Sequence, residues 1–271
     1  MPIVDTHMHV FDAVSALSAS RLYTPAPATL KQYHDQVAAL EVTHTVIVQP
    51  SVYGTDNRST LGAVATDPTR YRAIIVVRSD ISDADLFDLH IQGARGIRIN
   101  PLFGAGVPAE EIIALSQRIA ALGWHIQMLV DVGAYRDLGY VLAHVGAPLV
   151  FDHCGHCPMQ NGGASPGFDL LCEAVASGRA WVKLSAPYRL SRGDGPPYED
   201  VIEISATLLR ANPNRCLWGS DWPHPAIQTP VPAPHDLMAH FEAICPDAGL
   251  RQTVLWENPK TLYGFEEEDA T

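Results

Sequence analysis

The chain has 271 residues, 47% hydrophobic and 18% charged, with 18 basic against 30 acidic side chains and a net charge of −12. That length suits one α/β barrel or two small domains, and the composition is that of a globular chain with a large core. The acidic balance excludes a general nucleic-acid binder, which would carry a basic footprint, but not a small anion held by arginines inside a cleft.

The start, MPIVDTHMHVFD, lacks the basic-then-apolar pattern of a signal peptide, and no apolar run is long enough to span a bilayer. Five cysteines, an odd count, fit reduced thiols better than a disulfide framework. A cytoplasmic protein is expected, with no membrane partner.

In chain order, short β-branched apolar runs place strands near 4–10, 45–49, 73–77, 96–100, 125–130, 149–153, 180–185 and 216–220. Each is almost continuously hydrophobic, as parallel strands buried on both faces are. Segments of helical composition follow them in turn: 30–40, 59–65, 83–90, 110–122, 133–144, 168–177, 198–211 and 236–243, with a last helix at 256–263. Eight strand–helix alternations predict a (β/α)₈ TIM barrel, a single domain over residues 1–271. An open doubly wound sheet is the alternative, but no G-x-G-x-x-G or phosphate-cradling loop follows any strand. The Gly/Pro-rich stretches 104–108, 158–167 and 193–197 all follow expected strands, which puts them on the face where barrels carry their chemistry. The acidic run 266–269 reads as a solvated terminus.

Asp5-Thr6-His7-Met8-His9 ends the first expected strand. Residues two apart on a strand share a face, so His7 and His9 point together into the barrel mouth. His153 falls where the sixth apolar strand gives way to glycine, in Leu149-Val-Phe-Asp-His-Cys-Gly-His-Cys157. Cys154 and Cys157 lack the second ligand pair that a structural zinc site needs, so they read as incidental thiols. Asp221, in Leu217-Trp-Gly-Ser-Asp-Trp-Pro-His-Pro225, ends the eighth strand, where a general base is well placed.

Together these motifs resemble the amidohydrolase superfamily. Gln49-Pro-Ser-Val-Tyr-Gly-Thr-Asp-Asn57, Gly93-Ala-Arg-Gly-Ile-Arg98 and Trp218-Gly-Ser-Asp-Trp-Pro-His-Pro225 are similar to its 2-pyrone-4,6-dicarboxylate lactonase branch, which includes sulfomuconolactonase and sugar lactonases. The resemblance implies hydrolysis of a carboxylic ester within a small anionic lactone. Asp221 would activate water, with His7, His9 and His153 polarising the carbonyl or orienting the water. Tyr23, Ser51, Arg98 and Arg189 match positions that hold an anionic substrate, for which an arginine fork is suited.

Two departures from the family matter. The dicarboxylate lactonase carries a further substrate arginine beyond the one matching Arg98, whereas residues 99–106 here contain no cation. Loss of that charged hydrogen bond, worth roughly 1.5–3 kcal/mol, implies a substrate with one carboxylate or a different second group. Binuclear members need a lysine or glutamate on strand four and a histidine ending strand five. The only lysines here are Lys31, Lys183 and Lys260, and His125 begins strand five. The resemblance therefore implies either no metal or one divalent ion, zinc being apt, on His7, His9, His153 and Asp221. A metal-dependent amidohydrolase or decarboxylase, a lactone isomerase and a non-catalytic binding barrel stay open as alternatives. The sequence does not fix the oligomeric state.

Overall fold

The computed structural model describes residues 2–102, 107–159, 165–227 and 230–266. Parts of the loops 104–108 and 158–167, of the stretch 99–106 and of the tail 266–269 lie outside the described residues.

Eight parallel strands run in sequence order around one sheet. They are β1 (Ile3–Met8), β2 (Val42–Val48), β3 (Tyr71–Ile75), β4 (Ala94–Ile99), β5 (His125–Met128), β6 (Leu149–Phe151), β7 (Ala180–Lys183) and β8 (Cys216–Leu217). Thr6 N donates to Trp218 O (3.1 Å), Asp221 N to His7 O (2.8 Å) and His9 N to Trp222 O (2.8 Å), so the chain after β8 closes the barrel on β1. Gly219 makes that approach possible. A Cβ there would stand 2.7 Å from His7 Cβ and 2.9 Å from His7 N, closer than packed atoms come.

The outer helices are α1 (Leu30–Val37), α2 (Arg58–Val64), α3 (Asp83–Ile91), α4 (Ala109–Ala120), α5 (Leu138–His144), α6 (Pro166–Ala176), α7 (Glu199–Ala211) and α8 (Pro234–Ile244), followed by α9 (Ala248–Gln252) and α10 (Asn258–Tyr263). Local chemistry sets several starts. Thr29 and Gln32 form a reciprocal capping box on α1, Ser82 caps α3, and Ser165 caps α6 with Pro166 just inside it. Among the described residues no helix is long and apolar enough to cross a membrane.

The strands end earlier than their apolar patterns suggest: single backbone bonds such as Gln49 N to Ile74 O (2.8 Å) and Leu129 N to Ile99 O (3.0 Å) continue past them before the chain turns into the site loops. The helix expected from 133 starts only at Leu138. Asp131 Oδ1 accepts the Gly133 amide (2.8 Å) and holds a turn there. The last expected helix is two pieces, with a π-helical turn at Thr253–Glu257 before α10. Such a turn accommodates Pro259, whose ring and missing N–H would break a regular helix.

This C-terminal segment plugs the barrel floor. Trp256, Tyr263 and Phe265 pack with Val4, Val46, Ile74 and Val150, and Tyr263 lies edge-on to His125 at the start of β5. The opposite end of the strands is left for the polar cluster described next.

Candidate active site

Three strand ends bring the cluster together: His7 and His9 from β1, His153 just past β6, and Asp221 just past β8. All four are buried. His153 (φ +51°), Asp221 (φ +58°) and His224 (φ +60°) sit in the left-handed region, which side chains other than glycine rarely adopt. Each such residue costs on the order of 1–3 kcal/mol, and such residues gather at functional sites. Here backbone hydrogen bonds hold them, His156 N to His153 O (2.8 Å) and His224 N to Asp221 O (2.7 Å) among them.

The four side chains converge on one point. Asp221 Oδ1 lies 3.5 Å from His9 Nε2, 3.6 Å from His7 Nε2 and 3.8 Å from His153 Nε2. The far ring nitrogens decide what those Nε2 atoms offer. His9 Nδ1 is 2.7 Å from Val48 O, and a carbonyl only accepts, so the proton is on Nδ1 and Nε2 presents a lone pair. His7 Nδ1 lies 3.2 Å from both Asp152 Oδ1, an acceptor, and Lys183 Nζ, a donor, so its surroundings admit either tautomer. His153 Nδ1 meets Ser185 Oγ at 2.9 Å.

Burial holds all three imidazoles neutral: His7 is pushed down to about 3, and His9 and His153 are also lowered. Burial would push the Asp221 carboxyl up, but the Arg189 guanidinium on Oδ2 is the largest opposing influence, and Asp221 is held well below the usual carboxylate range. The His9 Nε2 lone pair thus faces the Asp221 carboxylate, and His7 Nε2 has no hydrogen-bond partner. This donor set fits a single divalent ion, and the outer hydrogen bonds on Nδ1 are those that orient histidine ligands.

The two Asp221 oxygens are not equivalent. Oδ2 accepts from Tyr188 Oη (2.6 Å) and Arg189 Nε (2.7 Å), while Oδ1 faces the histidines. Tyr188 Oη also meets His224 Nδ1 (2.9 Å), and burial together with Asp221 raises the phenol well above its ordinary value, so it stays a donor.

Tyr23, Ser51, Arg98 and Arg189 line the same pocket as His9, His153 and Asp221. His7 stands behind that surface, fully buried. Tyr23 is hydrogen-bonded to Ser51. Arg98 donates through Nη1 to Gln49 O (3.0 Å), keeps Nη2 3.7 Å from Asp152, and has a buried Nε without a partner. Arg189 is more committed, bonding both Asp221 and Pro225 O (2.9 Å).

Beneath the cluster lies a charged layer that sequence reasoning missed. Lys183, fully buried on β7, donates to Thr6 O (2.8 Å) and Gln127 Oε1 (2.8 Å), and lies 3.5 Å from Asp152 Oδ1. Asp152 also takes Gln127 Nε2 (3.1 Å) on its other oxygen. Burial lowers Lys183 to about 8, against the pull of Asp152. Burial also opposes the ionisation of Asp152, but His7 and Lys183 hold it well below its ordinary value. A lysine ending an otherwise apolar strand was the available signal. Tyr188 and His224 carried no signal beyond lying next to Arg189 and Asp221. Cys154 and Cys157 are free and buried, pushed up to about 11 and 12, so both are protonated, unreactive thiols.

An eight-stranded barrel with a histidine–aspartate cluster at its strand ends is the frame on which amidohydrolases are built, and the amidohydrolase family model matches residues 4–265. The chain belongs to this family and is a hydrolase. It is 32% identical to the 2-pyrone-4,6-dicarboxylate hydrolase of Comamonas testosteroni, over 97% of this chain and 90% of that one. It is 33% identical to the 4-sulfomuconolactone hydrolase of Rhizobium radiobacter, over 96% and 89% of the respective chains. A D-galactarolactone isomerase from Agrobacterium fabrum is 27% identical, over 99% and 93%. Among solved structures, a probable 2-pyrone-4,6-dicarboxylic acid hydrolase from Acinetobacter baumannii with citric acid bound superposes with a TM-score of 0.85 at 27% identity, covering 98% of this chain and all of that one.

Proposed function

We propose that the chain, acting as one barrel domain over residues 1–271, hydrolyses the ring ester of a small carboxylated lactone. The observation that carries this is the division of labour on Asp221: Tyr188 and Arg189 hold Oδ2, and Oδ1 is turned into the site toward the histidines, where a water proton can reach it. Water adds to the ring carbonyl carbon and its proton passes to Asp221. The ring C–O bond then breaks, and the proton moves to the departing ring oxygen, giving a hydroxy acid. Arg98, with an unused donor on a buried guanidinium, holds the substrate carboxylate. Tyr23 and Ser51 complete that side, and Arg189 serves both Asp221 and the anion.

His9 presents a lone pair, so it accepts rather than donates and does not polarise a carbonyl by hydrogen bonding. That favours one divalent ion, zinc by its donor set, held by His7, His9 and Asp221, which form one close donor group, with His153 Nε2 3.8 Å from Asp221 as the fourth candidate ligand. When bound, it supplies Lewis acidity and lowers the pKa of water. The names of the two hydrolase relatives each describe an anionic cyclic ester, which supports the substrate class. Five free cysteines agree with a reducing, cytoplasmic setting.

An isomerase reading has support in the Agrobacterium relative. The test is acid release at constant pH on a panel of lactone carboxylates, with the products followed by NMR. Hydrolysis releases one proton per turnover, whereas isomerisation releases none. Asp221→Asn is expected to lose about 10²–10⁴-fold in kcat. Near-full turnover by that variant would remove Asp221 from the role of base.

A further inference from the structure

The catalytic pocket is tight, about 20 Å³, which is on the scale of a single water molecule. A second cavity of about 510 Å³ lies against it, and Ser51, Arg98 and Asn100 line both. A substrate that reaches Asp221 therefore has this annex as adjoining space for the rest of its body.

The chemistry of the annex is one-sided. Beyond the shared residues its walls are mainly Leu22, Val76, Val77, Ile99, Leu102 and Val107, and among the described residues lining it Arg98 alone is charged. The hydroxyls of Ser18 and Ser20 face each other at 2.9 Å on its rim. Arg98 stands at the junction, buried, with Nε unpartnered. One anion can be met there. A second anion further in would be surrounded by aliphatic side chains with no cation to replace its water.

We propose that the annex is a substrate subsite for a neutral hydrocarbon arm, and that the lactone carries a single carboxylate, at Arg98, beside an alkyl substituent. This rests on the lactone-hydrolase reading above, and it adds a substrate class that none of the relatives' names contains.

Two measurements on the purified, zinc-loaded protein separate the two readings. One is calorimetric binding of the ring-opened acids of a series of lactone carboxylates with alkyl arms of increasing length. The other is kcat/KM on the lactones themselves. Affinity is expected to rise about two- to fourfold per methylene until the annex is full. An arm ending in a second carboxylate should bind about tenfold or more weakly. Val77→Trp, which fills the annex, should flatten the dependence on length. Leu22→Arg, at an exposed site that leaves the fold undisturbed, should narrow the discrimination against the terminal carboxylate. Affinity that ignores arm length, or a terminal carboxylate held as tightly as an alkyl group, overturns the proposal. Length-dependent binding with no lactone turned over would uphold the subsite and remove the lactonase reading. Turnover without length dependence would do the reverse.

Discussion

Replacing Lys183 by methionine, nearly the same length but uncharged, tests whether the layer beneath the site is an ion network or incidental packing. Its ammonium is fully buried and donates at 2.8 Å to both Thr6 O and Gln127 Oε1, with Asp152 Oδ1 at 3.5 Å. The methionine leaves two buried acceptors unmet, at about 1–3 kcal/mol each. Among the described residues it also leaves Asp152 with only the distant Arg98, at 3.7 Å, as a formal countercharge. These losses overlap, so the expected total is about 3–5 kcal/mol, the range for breaking a buried pair from one side. Urea unfolding at pH 7 reads this as a lower midpoint with an unchanged slope. Asp152→Asn, combined with Lys183→Met, should cost about 1–3 kcal/mol less than the two single changes added together. A Lys183→Met variant within about 1 kcal/mol of the parent, or strict additivity in the cycle, would refute the network.

Other consequences can be checked separately. His125 is buried with both ring nitrogens unpartnered and its pKa pushed down to about 3. A lowered histidine contributes stability in full above its unfolded value near 6.5 and loses it as pH falls toward 3. The slope for this one group is about 1.4 kcal/mol per pH unit. His125→Leu should therefore raise stability and flatten the acid limb by about one proton; an unchanged limb in urea titrations from pH 7 to about 4 would contradict the assignment. Gly219→Ala drives a Cβ to 2.7 Å from His7 Cβ and is expected to cost at least about 1–3 kcal/mol, read by thermal unfolding. Arg98→Met should reduce kcat/KM on a carboxylated lactone about 10- to 100-fold, and on an uncharged lactone far less. Equal losses on both substrates would make Arg98 a structural residue only.

The sequence alone determined the alternation of eight apolar strands with helices, because that pattern depends on local composition. It also placed His7, His9, His153 and Asp221 at the ends of their strands, where a parallel barrel concentrates its chemistry. Beyond the shared face of His7 and His9, it could not decide which side chains meet. Strands buried on both faces show no polar–apolar alternation from which an inside can be read. Asp5 and His7 are two residues apart, yet Asp5 accepts from Tyr33 of α1 while His7 lies beside Lys183 of β7, and the β1–β2 register shifts beyond Asp5. Likewise Lys183 meets Asp152, and Arg189 meets Asp221, only because the barrel brings β7 beside β6 and β8. Those pairings set the surroundings of His7 Nδ1 and decide which Asp221 oxygen faces the histidines. They depend on closure of the sheet, a property of the whole chain that no local window of sequence contains.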